Sequence, residues 1–497
     1  METTGLAFGN AIDGREYRRR RAGRAIAPLT LVFVLNSAAA VSAASVPSAA
    51  LNGNQQNVSN AVQDYLNRTD SLPAPFVTLS ADSLSQASGA AGTGIQQSGF
   101  VSTEQFMDAV FDNAFVDIGT SNTGFGDVGT PNNGFFNSGT PNTGFGNTGT
   151  PNTGFGNTGA PNTGFGNTGT PNTGFGNAGT PSTGVGPLRY AATPQLSRKA
   201  QQAYAAVAPR DRPTHFEARW KAWGVAYGGN ATVNGDNASG SSTTTSRVYG
   251  AAAGATYRVS SATQLGFALG GAGSSFAVAG GFGSGKADTF TGALYARHVI
   301  GPAYVYAAIA YAWQDASTNR TVTIAGTDAL HASFHPQAVT ARLEDGWRIA
   351  WPAYSVTPYA ALQSTTFFVP AYGEIATSGS NQFGLNYDAR TATATRTELG
   401  ARWDNAVSVG SGLLTVKART AWAHDWNTDR TATATFQSLP GAAFTINGAA
   451  PSANAALLSL GAELAWAKSW SVATILDSEF SSNSRSYAGK GSISYKW

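Results

Sequence analysis

The sequence predicts an all-β protein. Its C-terminal part reads as a 12-stranded antiparallel transmembrane β-barrel, preceded by a short helical segment and a Gly/Asn/Thr/Pro repeat region. Three observations carry that prediction. From Phe216 to Trp497, apolar and polar residues alternate along successive segments, which is the period of a strand with two unlike faces. The segments number twelve, an even count, as closed outer-membrane barrels of bacteria require. Aromatic residues sit near many segment ends, and short connections alternate with long ones, as a lipid-spanning barrel demands.

Composition narrows the classes further. The 497 residues include 59 Gly, 11 Trp, 17 Tyr and 26 Phe, but no Cys and only 12% charged residues, about half the usual share. Without Cys, thiol catalysis, cysteine zinc sites and disulfide frameworks are excluded. A net charge of +3 gives no argument for nucleic acid as a partner. A helical membrane protein needs several apolar runs of about 20 residues; one candidate run occurs, near the N-terminus.

Residues 1–43 read as a secretory signal peptide. Arg15, Arg18, Arg19, Arg20, Arg21 and Arg24 form a basic head, Ala25 to Leu35 a short apolar core, and NSAAAVSAAS a small-residue exit. Cleavage after Ala43 places Val41 and Ala43 at the small positions; cleavage after Ala44 is nearly as good. Export through the Sec translocase follows. Residues 44–118 form a pre-barrel helical segment. Val58, Ala61, Val62, Tyr65 and Leu66 have helical spacing within 54–68, as do Phe106, Met107, Val110 and Phe111 within 103–113. A Pro and Gly/Ala/Ser stretch separates them.

Residues 119–187 hold the repeat region, whose six decapeptides have the form PNTGFGNTGT. Phe125, Phe135, Phe145, Phe155, Phe165 and Phe175 recur at one position. The region holds 20 of the 59 Gly and one charge, Asp127. A fixed period reads as a stacked β-solenoid or a flexible linker. Gly stands at the centre of each pentad, where an apolar-cored solenoid would place a bulky side chain, and Gly is entropically costly to order. The expectation therefore favours a turn-rich, flexible linker. Residues 188–215 are a connector, with 197–208 a candidate helix for the pore.

Residues 216–497 supply the barrel. The segments are 219–233, 246–259, 263–278, 286–299, 302–315, 333–350, 354–369, 391–405, 412–426, 455–467, 470–482 and 485–497. They are long for a sandwich and right for a membrane, where strands need about 9–11 residues. Trp220, Tyr257, Trp313, Trp351, Trp403, Trp466 and Trp470 are the candidate girdle. Connections at 300–301, 351–353 and 468–469 are tight; those at 234–245, 316–332, 370–390 and 427–454 are long loops. On the polar faces lie Arg342, Glu344, Arg348, Arg396, Glu398, Arg402, Lys417, Arg419, Glu463, Asp477 and Glu479, expected to hydrate and charge-pair the lumen. Asp345 fits poorly, sharing a face with Leu343, Trp347 and Ile349; it lies at the rim or beside a bulge.

Five motifs point to a family: WKAWGVAYGG (220–229), SRVYGAAAGATYR (246–258), RTELGARWD (396–404), AWAHDWNTDR (421–430) and SYAGKGSISYKW (486–497). Through them the barrel resembles the C-terminal translocator of type V secretion autotransporters. NQQNVSNAV (54–62), Leu72-Pro73, QQSGF (96–100) and QFMDAVFDN (105–113) resemble the helical segment that precedes such barrels. The pentads are similar to Asn-Gly tandems of some mycobacterial surface proteins. The resemblance implies a monomeric barrel in outer-membrane lipid. It also implies that Ile493, Tyr495 and Trp497 form the signal read by the barrel assembly machinery. One departure is plain. About ten residues separate Ala43 from NQQNVSNAV, and the repeats lie between the pre-barrel segment and the barrel. The array is then either a minimal displayed passenger or a longer tether.

Chemistry is sparse. GGFGSGKA (280–287) nearly matches a phosphate loop, but Ala287 replaces the required Ser or Thr and a strand follows. It reads as a turn. His331 and His335 are four apart across a loop and strand start, and His215, His298 and His424 are scattered. Some barrels of the family cut their passenger with lumenal acids and an Asn; here the acids are matched by Arg and Lys. The expectation is a non-enzymatic outer-membrane protein, with no catalytic residue, metal or cofactor, that exports or displays an upstream segment. The alternatives are a surface structural or adhesive protein displaying the repeats, a plugged porin-like barrel and a soluble secreted β-domain.

Overall fold

The computed structural model describes residues 51–114, most of 123–185, and 219–497 apart from 261, 301, 351–353, 410–411 and 467–468, together with Thr30–Val32. The expected cleavage-site residues Val41, Ala43 and Ala44, the girdle candidate Trp351 and the 188–215 connector lie outside the described residues.

Twelve strands form the barrel: β1 Trp220–Val233, β2 Thr244–Arg258, β3 Thr263–Val278, β4 Gly283–Ile300, β5 Ala303–Val322 and β6 Gln337–Trp347. There follow β7 Ser355–Val369, β8 Arg390–Val409, β9 Gly412–Asp425, β10 Asn454–Trp466, β11 Trp470–Ser481 and β12 Ser484–Lys496. Each pairs antiparallel with the next, and β12 pairs with β1 from Lys221 opposite Lys496 to Val233 opposite Ser484. Closure leaves no free edge. At the seam, Trp220 N–H donates to the Trp497 carbonyl (3.1 Å) and Trp497 N–H returns the bond (3.0 Å).

Alternation sorts the side chains. Along β3, Leu265, Phe267 and Leu269 point outward and stay about half exposed, while the inward Ala268 is buried. Such an apolar exterior suits lipid and would be a liability in water. Trp220, Tyr257, Trp403, Trp466, Trp470 and Tyr495 are partly exposed around the short-turn end, where their rings suit the membrane interface. Asp345 faces outward in unbroken register with Val305 and Ala360. There is no bulge; it stands two residues from the exposed Trp347, at the rim near the short-turn end.

The long connections are more ordered than expected. Instead of a loop at 316–332, β5 continues to Val322 and Asp328–Phe334 folds back against it, joined by Ile375–Ser378. Tyr372–Gly373, Leu385–Tyr387, Thr431–Phe436 and Ala443–Asn447 form a separate four-stranded sheet. Alternation over two to six residues carries too little pattern to stand out as strand. This sheet lies at the long-loop end, the end that outer-membrane barrels as a class turn outward.

The upstream helices pack on it. α1 (Gly53–Thr69) opens with a capping box: Gln55 N–H donates to Asn52 Oδ1 (3.0 Å), and Asn52 N–H donates to Gln55 Oε1 (2.9 Å). α2 (Ala81–Ala87) is capped by Ser80, after Thr78–Ser80 pairs with Thr30–Val32. Val58, Val62, Phe76 and Leu84 share one apolar core with Phe436 and Ile446 of the outer sheet and with Phe383 in the turn that leads into it. Arg320 forms a 2.7 Å ion pair with Glu374 within it, both fully buried. The loop after β1 also grips α1. Gly53 N–H donates to Ala238 O (2.9 Å), and Asp236 bonds the Ala238 and Ser239 amides, which hold its carboxyl below the usual aspartate range.

The Gly/Ala/Ser stretch is not a spacer; it forms the first half of α3 (Ala91–Ala114).

The repeat region is a β-solenoid, not a flexible linker. Short strands stack in parallel as two columns, one of seven strands from Thr123–Phe125 to Ser182–Val185, the other of six from Val128–Gly129 to Ala178–Gly179. The expectation failed because the core is amide rather than apolar. Asn147, Asn157 and Asn167 are fully buried. Asn157 Nδ2 donates to Gly164 O (2.9 Å), while its Oδ1 accepts from Asn167 N–H (3.0 Å). Each Asn thus satisfies the backbone of the next rung. The central Gly is what permits such close rungs: a Cβ on Gly154, at φ +125°, would lie 1.9 Å from Gly164 O.

Candidate functional site: the filled lumen

α3 runs through the barrel. Among the described residues no helix is long and apolar enough to cross a membrane alone; α3 crosses only because the strands shield it. Its N-terminal half is held by close fit. A Cβ on Gly94 would meet the Phe276 ring at 2.3 Å, and one on Gly99 the Phe367 ring at 2.4 Å. Barrel aromatics therefore lie directly on the helix backbone, which explains the Gly spacing of this stretch.

The C-terminal half is held by charge. Glu104 meets Arg396 at 2.6 Å, and Arg396 also pairs with Asp425 (2.8 Å) and Glu479 (3.0 Å). Asp112 meets Lys490 at 2.6 Å, and Lys490 pairs with Asp477 at 2.8 Å. Lys221 Nζ donates to the Asn113 carbonyl (2.8 Å), a cation at the negative end of a helix dipole. Phe111 lies under the guanidinium groups of Arg402 (4.7 Å) and Arg342 (5.2 Å) and meets Tyr306 edge-on at 4.9 Å. Phe106 and Met107 fill an apolar belt with Trp223, Tyr227 and Val248.

Below Phe111, the inward charges bind one another. Glu344 accepts from Arg402 (2.7 Å), Arg342 (2.8 Å) and Tyr304 (2.7 Å). Glu398 accepts from Arg342 (2.9 Å) and Tyr359 (3.1 Å), with Arg419 at 3.9 Å. Arg348 pairs with Asp404 (2.8 Å) nearer the mouth, and Lys417 with Glu463 (2.6 Å). The structure places all eleven charged residues of the polar faces inside the barrel, each ion-paired. A buried ion pair is costly to break, because the survivor stays desolvated. A cavity of about 140 Å³ beside α3 is bordered by Gln97, Glu104, Asp108 and Arg419.

Sequence reasoning missed the helix side of this network. Glu104, Asp108 and Asp112 are spaced i, i+4, i+8, one acidic stripe facing basic strands, and that spacing was the available signal. The other candidates fare differently. Ile493, Tyr495 and Trp497 face outward on and just beyond β12, each partly exposed. Phe145, Phe155, Phe165 and Phe175 form a stacked column with centroids 4.8–4.9 Å apart, and Phe125 and Phe135 continue its register. His331 bonds Asn319 and Ser333, whereas His335 stacks on Trp313; they share no ligand position. GGFGSGKA spans a one-turn helix and the start of β4, which is a turn.

A closed twelve-stranded barrel with a helix threaded through its lumen defines the class: an outer-membrane translocator. The autotransporter beta-domain family model matches residues 222–474, half of the chain, and the chain belongs to that family. It is an outer-membrane protein whose barrel exports an upstream segment. The pentapeptide-repeat model (8 copies) matches residues 151–188. The chain is similar in structure to the translocator domain of autotransporter NalP from Neisseria meningitidis. They are 13% identical, over 60% of this chain and 94% of that one, with a TM-score of 0.46. It is also similar to the beta domain of the Bordetella autotransporter BrkA (17% identity, 56% and 100% covered, TM-score 0.43). A third similar structure is the transport unit of AIDA-I from Escherichia coli (12%, 61% and 98%, 0.40). No curated protein sequence matches the chain.

Proposed function

We propose that the barrel exports residues 51–87 and then keeps them, with α3 remaining in the lumen as a permanent plug. The carrying observation is that α1 and α2 share an apolar core with the outer sheet, while α3 is held by ring contacts along its N-terminal half and by ion pairs along its C-terminal half. The exported part is a lid built into its own anchor. In a planar bilayer the wild-type protein should show no sustained open conductance. Steady opening of the unmodified protein would defeat the plug reading.

We further propose that the chain does no chemistry. Glu344, Glu398, Glu463, Asp477 and Glu479 all bind Arg or Lys, so none is a free base of the kind passenger cleavage needs. N-terminal sequencing of the membrane-embedded protein should find α1, α3 and the barrel on one polypeptide. A break between Ala114 and Trp220 would overturn this.

Export of a monomer through the Sec translocase, using residues 1–43, and insertion by the barrel assembly machinery complete the proposal. The outward Ile493, Tyr495 and Trp497 are suited to recognition from the lipid side. Deleting Trp497 also removes two seam hydrogen bonds and should lower the yield of heat-modifiable barrel several-fold; an unchanged yield would count against the signal.

A further inference from the structure

The repeats enter and leave the barrel at one mouth. α3 ends at Ala114, and the carbonyl of its penultimate residue, Asn113, is bound by Lys221 Nζ at 2.8 Å. Lys221 is the second residue of β1, beside the Trp220–Trp497 seam. At this end Arg258 N–H also donates to Arg219 O, and the short turn from β2 to β3 follows. The chain thus departs at residue 114 and returns at residue 219 on the short-turn side, the side opposite the lid.

We infer that the repeat solenoid is a periplasmic module and not a displayed passenger. This rests on the proposed orientation, with residues 51–87 outside. Three observations support it. First, α3 already occupies the lumen, with glycine-aromatic contacts along one half and ion pairs along the other. Second, the lumen around it is crossed by the buried ion pairs of Arg342 with Glu344 and Glu398 and of Arg402 with Glu344, which two further passing strands of polypeptide would have to break. Third, the repeats form a folded stack whose buried amides are bonded rung to rung, so passage would require unfolding every rung. At 4.8 Å per rung the seven-strand column is a rod of roughly 30 Å. Its Phe and Thr columns are exposed along the rod. The rod acts on the cell's side of the barrier, while the lid acts on the medium's side.

The chain has no Cys, so single cysteines report location directly. Ser71 in the lid and Thr153 and Thr163 in the array are exposed. Ser71→Cys, Thr153→Cys and Thr163→Cys variants would be treated with a membrane-impermeant maleimide, on intact cells and after permeabilising the outer membrane. Heat-modifiable migration would verify a folded barrel in each. The expected result is Ser71→Cys labelled in both, and the two array variants labelled at least tenfold more after permeabilisation. Equal labelling of Thr153→Cys and Thr163→Cys in intact cells, with Ser71→Cys also labelled, overturns the periplasmic placement alone. Array labelling with Ser71→Cys silent in intact cells overturns the orientation as well.

Discussion

The barrel and the repeat array are both made of strands with polar interiors, yet they reach that interior differently. The barrel alternates: every second side chain turns inward, and the lumen is filled by a helix, an apolar belt and paired charges. The array instead repeats every five residues, turns one Asn inward per pentad and binds it to the next rung. Charges need long side chains and room, which a barrel has. Amides need backbone within 3 Å, which a Gly-centred solenoid has. Polar cores are stable where each group is satisfied, and the geometry decides which group can be.

The same substitution should therefore act oppositely in the two regions. Gly154→Ala forces a Cβ to 1.9 Å from Gly164 O at a φ of +125°. Overpacking and backbone strain together should cost the stack roughly 3–5 kcal/mol, read as lost protease resistance across the repeats. Gly491→Ala in β12 meets nothing within 4 Å and should leave barrel melting unchanged or slightly raised.

Arg396→Ala tests the charged interior. It strands Glu104, Asp425 and Glu479, a loss of about 3–5 kcal/mol. Brief openings in a planar bilayer should appear as α3 loosens. Asn157→Ala tests the amide interior; it leaves Gly164 O and Asn167 N–H without the Asn157 side chain and should cost roughly 2–4 kcal/mol, seen by amide exchange confined to neighbouring rungs. Phe165→Ala removes only ring contacts from a side chain already 44% exposed, a change of under about 1 kcal/mol in thermal melting of the array.

Acid should have the smallest effect. The Asp236 turn that grips α1 contributes fully above the ordinary aspartate pKa and weakens only as pH falls through the lowered value. Protease sensitivity of α1 should stay flat from neutrality down to about pH 4 and rise only below it.

Much of the barrel was legible because its two faces meet different media. In RTELGARWD, Arg396, Glu398 and Arg402 lie inside while Leu399 and Trp403 lie outside, as the letters alternate. Partners were not legible. Arg396 finds Glu104 across 292 residues, and no local pattern encodes that distance. The outer sheet was hidden by strands as short as Leu385–Tyr387. The array misled for a different reason: apolar content was taken as the mark of a core, whereas the mark was Asn at every fifth position with Gly two residues on.

A ladder whose rungs bond only to identical rungs carries no information about its own length. Adding or losing a decad restores the same neighbours, so copy number can drift through slipped replication without disturbing α3 on one side or β1 on the other. A five-residue slip would keep the Asn column but exchange the Phe and Pro-bearing faces. Length polymorphism in steps of ten, rather than five, is the trace such a structure would leave among related strains.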